Sequence, residues 1–223
     1  MDFNEYPDRD LLALTLADTL ASELGAALRH EEQVTFSVPG GTTPGPVFDA
    51  LTAVNLDWDR VNVVLNDERW VPESSPRSNT ALLRQRLLTG RAATARLLPL
   101  HSDVEAPEQA LATLSDGLRP YMPINVLLLG MGTDAHTASL FPGADRLADA
   151  LAPDAPILLP MRAEGAGEPR ITITARYLKG ALSTHVVIMG EEKRRVLEEA
   201  RGKKPEEAPI AAILPQAIVH WAP

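Results

Sequence analysis

Leucine recurs at every fourth position near the start of the chain, from Leu12 to Leu28. Residues four apart lie on the same face of an α-helix, and alanine fills many of the positions between these leucines. The spacing therefore predicts an amphipathic helix from about residue 8 to residue 30.

Beyond this helix, short apolar runs alternate with segments of helical periodicity. Continuous apolar runs of this kind predict strands that are buried on both faces of a sheet. The predicted strands are Val34–Val38, Val61–Leu65, Asn125–Leu129, Ile157–Leu159, Ile171–Thr174 and Val186–Met189. The predicted helices are Pro46–Leu51, Asn79–Leu88, Pro107–Leu118, Ala175–Lys179 and Glu191–Ala200. The alternation predicts a single α/β domain over residues 1–223, with a mainly parallel sheet and helices on both faces.

Composition narrows the range of partners. The 223 residues carry a formal net charge of −9, which disfavours binding to nucleic acids and to anionic membranes. The chain has no cysteine, which excludes disulfides, thiolate metal sites and a cysteine nucleophile. Its first residues are acidic and unlike a signal peptide, and no apolar run approaches the roughly 20 residues that span a bilayer. We expect a cytoplasmic protein with a small-molecule partner, either a monomer or a small homo-oligomer.

Residues 130–143 contain the side chains best suited to catalysis. They follow the predicted strand Asn125–Leu129, and open α/β sheets bind ligands in loops at the carboxyl ends of their strands. A histidine titrates near neutral pH, so His136 can act first as a general base and then as a general acid. A carboxylate from Asp134 or from Asp67 would orient His136 or a substrate hydroxyl, and the sequence leaves both open.

A glycine-rich loop, Gly40-Gly41-Thr42-Thr43-Pro44, joins a predicted strand to a predicted helix. Glycine lets the backbone approach a ligand closely, Thr43 is expected to cap the helix, and Pro44 fits its first turn. The N–H groups at the start of a helix favour the binding of an anion. An ordinary strand-to-helix turn would have the same sequence pattern. The residues expected to bind substrate here are Gly40, Gly41, Thr42 and Thr43. The loop lacks both the G-K-[ST] ending of a nucleotide phosphate loop and the G-x-G-x-x-G dinucleotide pattern.

Three basic residues are placed to form a local positive pocket in this acidic protein. Arg69 and Arg170 flank predicted strands, and Lys193 lies in the first turn of a predicted helix. Arginine binds phosphate or carboxylate through paired hydrogen bonds. A lysine at a helix start opposes the helix dipole, which slightly favours a binding role for Lys193. We expect Asp67 and Arg69 to face the ligand and Glu68 to be structural.

The other histidines and the loop serine give no sign of a metal site or a nucleophile. His30, His101, His185 and His220 do not have metal-ligand spacing. Ser139 is not part of a G-x-S-x-G motif, so we interpret it as a hydrogen-bonding loop residue. We expect neither a metal nor a cofactor.

Four segments carry specific motifs in a fixed order along the chain. They are Pro39-Gly40-Gly41-Thr42-Thr43-Pro44, Asn66-Asp67-Glu68-Arg69-Trp70-Val71-Pro72 with Ser78-Asn79, residues 130–143, and Pro169-Arg170-Ile171-Thr172. The set resembles that of the 6-phosphogluconolactonases over nearly the whole chain. Its most specific part combines Asp67-Glu68-Arg69 with His136-Thr137-Ala138-Ser139-Leu140-Phe141-Pro142.

The resemblance implies a Rossmann-like fold and hydrolysis of 6-phospho-D-glucono-1,5-lactone in the oxidative pentose phosphate pathway. It also implies that His136 activates water, with the phosphate held by basic residues and by residues 40–43. Two positions depart from the family pattern. Ala135 stands before His136 where glycine is usual, and a positive φ there would cost roughly 1 kcal/mol. Asn66 replaces the glycine that often precedes the acidic motif, and asparagine also tolerates left-handed geometry.

Two other functions fit parts of the sequence. Aminosugar-phosphate deaminases or isomerases share this fold and an Asp-x-His loop, but they typically continue into Phe-Asn-Glu-Pro. This chain continues into Ser139-Leu140-Phe141-Pro142 and lacks that glutamate. A non-catalytic sugar-phosphate sensor would leave His136 without a role, and the single N-terminal helix leaves no room for a helix-turn-helix.

Residues 163–168 are expected to form a surface loop, with a lid over Arg170 as the alternative.

Overall fold

Two β-sheets and seven helices make up the fold. The structure is a computed structural model that describes residues 1–223. The strands are β1 (Asp2–Glu5), β2 (Val34–Val38), β3 (Val61–Leu65), β4 (Asp67–Arg69), β5 (Arg96–Leu98), β6 (Val126–Gly130), β7 (Leu158–Met161), β8 (Arg170–Ile173), β9 (Ser183–Met189) and β10 (Ile218–Ala222). The helices are α1 (Arg9–Leu28), α2 (Gly45–Leu51), α3 (Asn79–Arg86), α4 (Pro107–Leu118), α5 (Leu147–Leu151), α6 (Ala175–Lys179) and α7 (Glu191–Ala200).

The larger sheet has seven strands in the order β1-β10-β9-β6-β2-β3-β5, and every neighbouring pair is parallel. β2 and β6 are neighbours near its centre. From β2 the chain moves outward through β3 and β5, whereas from β6 it moves outward the other way through β9 and β10. The loops that follow β2 and β6 therefore diverge, and such a reversal point leaves a crevice that binds ligands.

The hydrophobic core lies on both sides of this sheet. Every residue of β2 and β3 is buried, which requires that both faces be covered. The repeated leucines of α1 are buried in the same core. One cluster of 59 buried apolar residues includes members of both sheets, so the two sheets share a single core. The predicted fold class, a mainly parallel sheet with helices on both faces, is confirmed.

The smaller sheet departs from the predicted arrangement. β7 and β8 correspond to predicted strands, but with β4 they form a separate antiparallel sheet in the order β4-β8-β7. The strands β1, β4, β5 and β10 and the short helix α5 were not predicted. β1 and β4 are short and polar, so they lack the apolar run on which the strand prediction depends.

Helix α1 is long and apolar enough, by length and composition, to cross a membrane. This differs from the expectation that no segment approaches that length. Its buried residues include Leu12, Leu16 and Leu20, which pack into the core. On another side, Glu23 pairs with His185 of β9. These contacts are those of a core helix.

A chain of hydrogen bonds connects α1 to the sheet. Glu23 Oε2 lies 2.9 Å from His185 Nε2, His185 Nδ1 lies 3.0 Å from His220 Nε2, and His220 Nδ1 lies 2.9 Å from the hydroxyl of Tyr6. Since a carboxylate can only accept, Nε2 of each histidine carries the proton and Nδ1 accepts. Both rings are therefore satisfied in their neutral form. Burial and the nearby His185 lower the pKa of His220 to about 4.

The depressed pKa of His220 predicts a loss of stability in mild acid. The unfolded chain takes up a proton near pH 6.5, whereas the folded chain does so only near pH 4, so the free energy of unfolding falls as the pH drops between these values. We expect a decrease of about 2 kcal/mol in urea unfolding between about pH 8 and pH 5.

His220→Gln should remove most of this pH dependence, although it also lowers stability at neutral pH. Burial opposes the charge of Glu23, but hydrogen bonds from His185 and Ser183 outweigh it and lower the pKa of Glu23. Protonation of Glu23 therefore lowers the free energy of unfolding only below about pH 4.5. An unchanged pH slope in His220→Gln would contradict this assignment.

Candidate active site

The loops that follow four parallel strands, together with the small sheet, surround one pocket with a volume of about 280 Å³. The strands are β2, β3, β6 and β9, whose carboxyl ends meet at one edge of the larger sheet. The predicted site residues that line the pocket are Gly40, Gly41, Thr42, Thr43, Asp67, Arg69, His136, Arg170 and Lys193. Asp134 does not line it but contacts His136. The structure thus brings all the predicted site residues together.

Asp134 is the carboxylate that contacts the histidine. Its Oδ1 lies 2.5 Å from His136 Nδ1 and also accepts the backbone N–H of His136 at 3.1 Å. Burial works to raise the pKa of Asp134, but the hydrogen bond and charge of His136 outweigh it, and the pKa is lowered. An ionised carboxylate on Nδ1 places the ring proton there and leaves Nε2 free to accept a proton.

The turn that carries this pair is held by its own backbone. Gly132 N–H donates to the carbonyl of His136 at 2.9 Å, and Ala135 N–H donates to the carbonyl of Gly132 at 3.1 Å. Ala135 has a φ of 64°, so the residue that replaces the family's glycine is held in the left-handed region at a cost of roughly 1 kcal/mol. Its methyl group packs in the core and does not line the pocket. Asn66 has no positive φ; its side chain bonds to Ser37 and to the carbonyl of Leu128.

Gly132 leaves space that the side chains of His136 and Asp134 occupy. A Cβ atom added at Gly132 would overlap the imidazole of His136 and would lie 2.6 Å from Asp134 Oδ1. A Cβ atom makes no hydrogen bond and does not come within 3.0 Å of another heavy atom to which it is not bonded, so any side chain here must displace the pair. The glycine is therefore required by the close approach of His136.

Asp67 is the other aspartate that the sequence left open as a partner of His136, and its contacts are with other residues. Its Oδ2 accepts the hydroxyl of Ser139 at 2.5 Å and lies 3.6 Å from Nη1 of Arg170. Asp67 does not contact His136. Ser139 also donates its backbone N–H to Thr172 at 3.2 Å, which confirms the interpretation of Ser139 as a hydrogen-bonding loop residue.

Two arginines lie opposite each other on neighbouring strands of the small sheet. β4 and β8 pair antiparallel with Arg69 opposite Arg170, an arrangement that is unfavourable for like charges. Arg69 Nη1 donates to the carbonyl of Arg77 and Arg170 Nη2 to that of Ala166, but the Nε of each arginine is buried without a partner. Burial lowers the pKa of Arg170, which the charge of Asp67 opposes. An anion in the pocket would relieve these unfavourable terms.

Glu68 is structural, as predicted. It is fully buried and accepts the backbone N–H groups of Arg69, Asn79 and Thr80 at 2.7–2.8 Å, together with the hydroxyl of Ser78 at 3.1 Å. Two of these N–H groups belong to the first turn of α3, where a carboxylate is favoured by the helix dipole. Glu68 thereby fixes β4 against α3 and holds Arg69 in place.

The glycine-rich loop presents free backbone donors. None of the N–H groups of residues 40–43 has a protein acceptor, although all of these residues line the pocket. Gly41 has a φ of 85°, which glycine adopts at little cost. Consecutive N–H groups without acceptors form a donor set for an anionic ligand.

One detail of this loop differs from the prediction. Thr43 does not cap the helix: α2 begins at Gly45, its N-cap is Pro44, and no side chain caps it. The donors of the loop are therefore its own backbone groups. Gly40 is needed for another reason, since a Cβ atom there would overlap the amide of Asn79, which donates to the carbonyl of Asp67 at 3.1 Å.

Lys193 enters the pocket from α7, as expected from its place in the first turn. Burial lowers its pKa, which the charge of Glu192 opposes. Lys193 adds a third cationic side chain to those of Arg69 and Arg170, and Asp67 is the one carboxylate among the lining residues. The pocket is thus locally positive in a chain with a net charge of −9.

Several lining residues were not predicted as site residues. They are Pro39, Pro44, Asn79, Gly130, Met131, Gly132 and Ala138. Asn79 had a signal in the sequence, because it starts a predicted helix beside the Asp67-Glu68-Arg69 motif. Gly132 had none, because its role depends on the position of the imidazole in space.

The loop of residues 163–168 contacts the pocket residue Arg170 and also Arg77, whose carbonyl accepts from Arg69. The carbonyl of Ala166 accepts Nη2 of Arg170 at 3.0 Å, and Glu168 pairs with Nε of Arg77 at 2.5 Å. Gly165 and Gly167 both have positive φ. The segment is a surface loop, as expected, but it contributes directly to the position of Arg170.

A His–Asp pair and an anion pocket at the reversal point of a parallel sheet define an α/β protein equipped for acid–base chemistry on a small anion. The sequence matches the family model described as glucosamine-6-phosphate isomerases/6-phosphogluconolactonase over residues 7–221. A 6-phosphogluconolactonase of Mesorhizobium japonicum is 42% identical over 100% of this chain and 95% of its own. One from Rhizobium meliloti is 42% identical over 98% of this chain and 97% of its own.

A solved structure shows the same likeness in three dimensions. The crystal structure of a 6-phosphogluconolactonase from Shewanella baltica has a TM-score of 0.96 and is 30% identical, covering 100% of this chain and 98% of its own. The chain belongs to the glucosamine-6-phosphate isomerase/6-phosphogluconolactonase family.

Proposed function

We propose that this protein hydrolyses 6-phospho-D-glucono-1,5-lactone to 6-phospho-D-gluconate in the oxidative pentose phosphate pathway. The observation that carries the proposal is the His136–Asp134 pair in a pocket lined by three cationic side chains. The names of the relatives and of the solved structure agree with it. We further propose that residues 1–223 act as one cytoplasmic domain, as a monomer or a small homo-oligomer.

His136 performs both proton transfers in the proposed reaction. With Nδ1 bonded to Asp134, Nε2 takes a proton from water as the water oxygen attacks the lactone carbonyl carbon. Asp134 stabilises the imidazolium that forms. The same Nε2 then returns the proton to the ring oxygen as its bond to the carbonyl carbon breaks, which leaves the free acid and a hydroxyl.

The remaining pocket residues bind the negative charges of the substrate. Arg69, Arg170 and Lys193 bind the phosphate. The phosphate oxygens accept hydrogen bonds from the buried Nε groups of the two arginines, or the phosphate charge offsets the repulsion between Arg69 and Arg170. The free N–H groups of residues 40–43 donate to anionic oxygens, including the one that develops on the carbonyl during attack. Asp67 holds Arg170 and is available to a substrate hydroxyl.

The alternative functions account for less of the geometry. A deaminase of aminosugar phosphates would place a second carboxylate beside the histidine, whereas the contacts of the His136 ring are with Asp134 and Phe141. A non-catalytic sensor would use the anion pocket but would have no need of a carboxylate on His136. The lactonase uses both.

The test is hydrolysis of the lactone by the purified protein, with substrate generated in situ by a glucose-6-phosphate dehydrogenase. The spontaneous opening of the lactone is measured without protein and subtracted. Hydrolysis well above this background is the expected result. A rate equal to background, with turnover of an aminosugar phosphate instead, would favour the deaminase; binding of sugar phosphates without any turnover would favour the sensor.

Arg170→Ala is expected to raise KM for the lactone by about 10- to 30-fold, with a smaller change in kcat, because a charge-assisted hydrogen bond to phosphate is lost. Steady-state kinetics at saturating and subsaturating lactone would separate the two parameters. Arg29→Ala, which removes an exposed arginine at the end of α1, is the matched control and should leave KM unchanged. Equal KM values for Arg170→Ala and the unaltered protein would remove Arg170 from the phosphate site.

A further inference from the structure

Phe141 is held in place next to the catalytic turn without lining the pocket. Leu140 N–H donates to the carbonyl of Thr137 at 3.0 Å, which closes a tight turn and returns the chain towards His136. On one side of Phe141, Ser139 is bonded to Asp67; on the other, Ala144 N–H donates to the Phe141 carbonyl at 3.1 Å. These bonds hold the backbone that carries the phenyl ring.

The ring contacts two groups with different proposed tasks. Its centroid lies 4.3 Å from that of the His136 imidazole, with 39° between the ring planes. The Cζ atom of Arg170 lies 5.1 Å from the same centroid. Both separations are within the range over which an aromatic ring attracts a cation. His136 lies in the loop after β6 of the larger sheet and Arg170 in β8 of the smaller sheet, and Phe141 contacts both.

For His136, the contact favours the form that exists during the reaction. The imidazole is neutral before it takes a proton from water and cationic afterwards, and the electron-rich face of a phenyl ring attracts only the cation appreciably. The ring also limits rotation of the imidazole, which the bond to Asp134 limits from its other edge. Loss of the ring would therefore reduce kcat.

For Arg170, the contact with the phenyl ring compensates for the hydration that the guanidinium loses on burial. The guanidinium is largely buried, its Nε has no partner, and its opposite neighbour across the sheet is Arg69. The phenyl ring offers a favourable contact to a charge in these surroundings and restricts the side chain. Loss of the ring would weaken the binding of the phosphate end of the substrate.

We propose that Phe141 is a positioning residue whose ring fixes His136 and Arg170 relative to each other, so that one side chain supports both proton transfer and phosphate binding. The role rests on the proposed lactone hydrolysis and extends it to a residue that does not line the pocket.

The test compares Phe141→Leu, which keeps apolar bulk, with Phe141→Tyr, which keeps the ring. Phe141→Leu is expected to lower kcat and to raise KM for the lactone, each by about three- to tenfold, and Phe141→Tyr should restore both. The rise in KM should not add to that of Arg170→Ala when both changes are combined. A merely structural defect would show neither the rescue nor this non-additivity.

One measurement does not depend on turnover. The Kd of 6-phosphogluconate in calorimetry should rise in Phe141→Leu by the same factor as KM, because Arg170 loses its contact with the ring.

Phe3→Leu is the matched control, because the Phe3 ring also lies against an arginine, with Arg194 Cζ 5.6 Å from its centroid, but belongs to the edge strand β1. It should leave kcat, KM and the Kd of 6-phosphogluconate unchanged. Unaltered kinetics and Kd in Phe141→Leu, or a loss that Phe141→Tyr does not recover, would overturn the role of the ring. Absence of lactone hydrolysis in the unaltered protein would contradict the proposed function instead, and the Kd measurement would still test the support that Phe141 gives to Arg170.

Discussion

Replacing His136 with asparagine is expected to lower kcat for lactone hydrolysis by about 10²- to 10⁴-fold, the usual contribution of a general base. Asparagine can still donate to Asp134 from its amide nitrogen, so the turn should keep its shape. It cannot take up a proton at neutral pH, and water attack loses its base. Initial rates after subtraction of the spontaneous reaction give kcat, and calorimetry with 6-phosphogluconate shows whether the pocket still binds.

His30→Asn is the control for this experiment, because His30 is exposed and lies just after α1, outside the pocket. It should have unaltered kcat and an unaltered melting temperature. If His136→Asn retained full hydrolysis while binding 6-phosphogluconate normally, His136 would not be the base, and the proposed mechanism would be wrong although the family assignment would stand.

A single methyl group at Gly132 should have the second largest effect. Gly132→Ala is expected to reduce kcat by about 10²- to 10³-fold, because displacement of a catalytic group by about 1 Å can reduce the rate by 10² or more. The backbone of Gly132 has no positive φ, so alanine meets no conformational penalty there. The added Cβ atom instead overlaps the imidazole of His136, which must move away from Asp134.

This prediction separates damage to the His136–Asp134 pair from damage to the pocket. Arg69, Arg170 and Lys193 lie on other elements, so the Kd of 6-phosphogluconate should change little in Gly132→Ala. Gly117→Ala is the control: a Cβ atom added at this site in α4 meets nothing within 4 Å, and alanine favours a helix. Normal activity in Gly132→Ala would mean that His136 does not need the position seen here.

The sequence was sufficient to predict the parts of the fold whose periodicity is local. The buried strands β2 and β3 and the helices α4, α6 and α7 were predicted with their observed bounds, because each is a short, mainly apolar run or an amphipathic segment. β4 was not predicted, because Asp67-Glu68-Arg69 carries no apolar residue. Its conformation depends on pairing with β8, a segment that lies about a hundred residues further along the chain.

For the site as well, some features could be predicted from neighbouring residues in the sequence, whereas others depend on the folded structure. The position of His136 in a loop after a buried strand was readable from its neighbours. Which aspartate orients it was not, since Asp134 and Asp67 both follow strands, and only the folded turn brings Asp134 Oδ1 to 2.5 Å from Nδ1. Similarly, a threonine before a proline suggested a helix cap at Thr43, but the helix starts at Gly45, too late for that side chain to cap it.

The cationic side chains and the His136–Asp134 pair stand on separate elements of the fold. The antiparallel sheet contributes Arg69 and Arg170 and helix α7 contributes Lys193, whereas the loop after β6 contributes the pair. In the proposed reaction, the elements that bind the phosphate are therefore distinct from the turn that transfers protons. Evolution could alter residues 131–136 to install a new reaction and leave the recognition of phosphorylated sugars intact. This separation gives a physical reason why one family model spans both isomerases and lactonases.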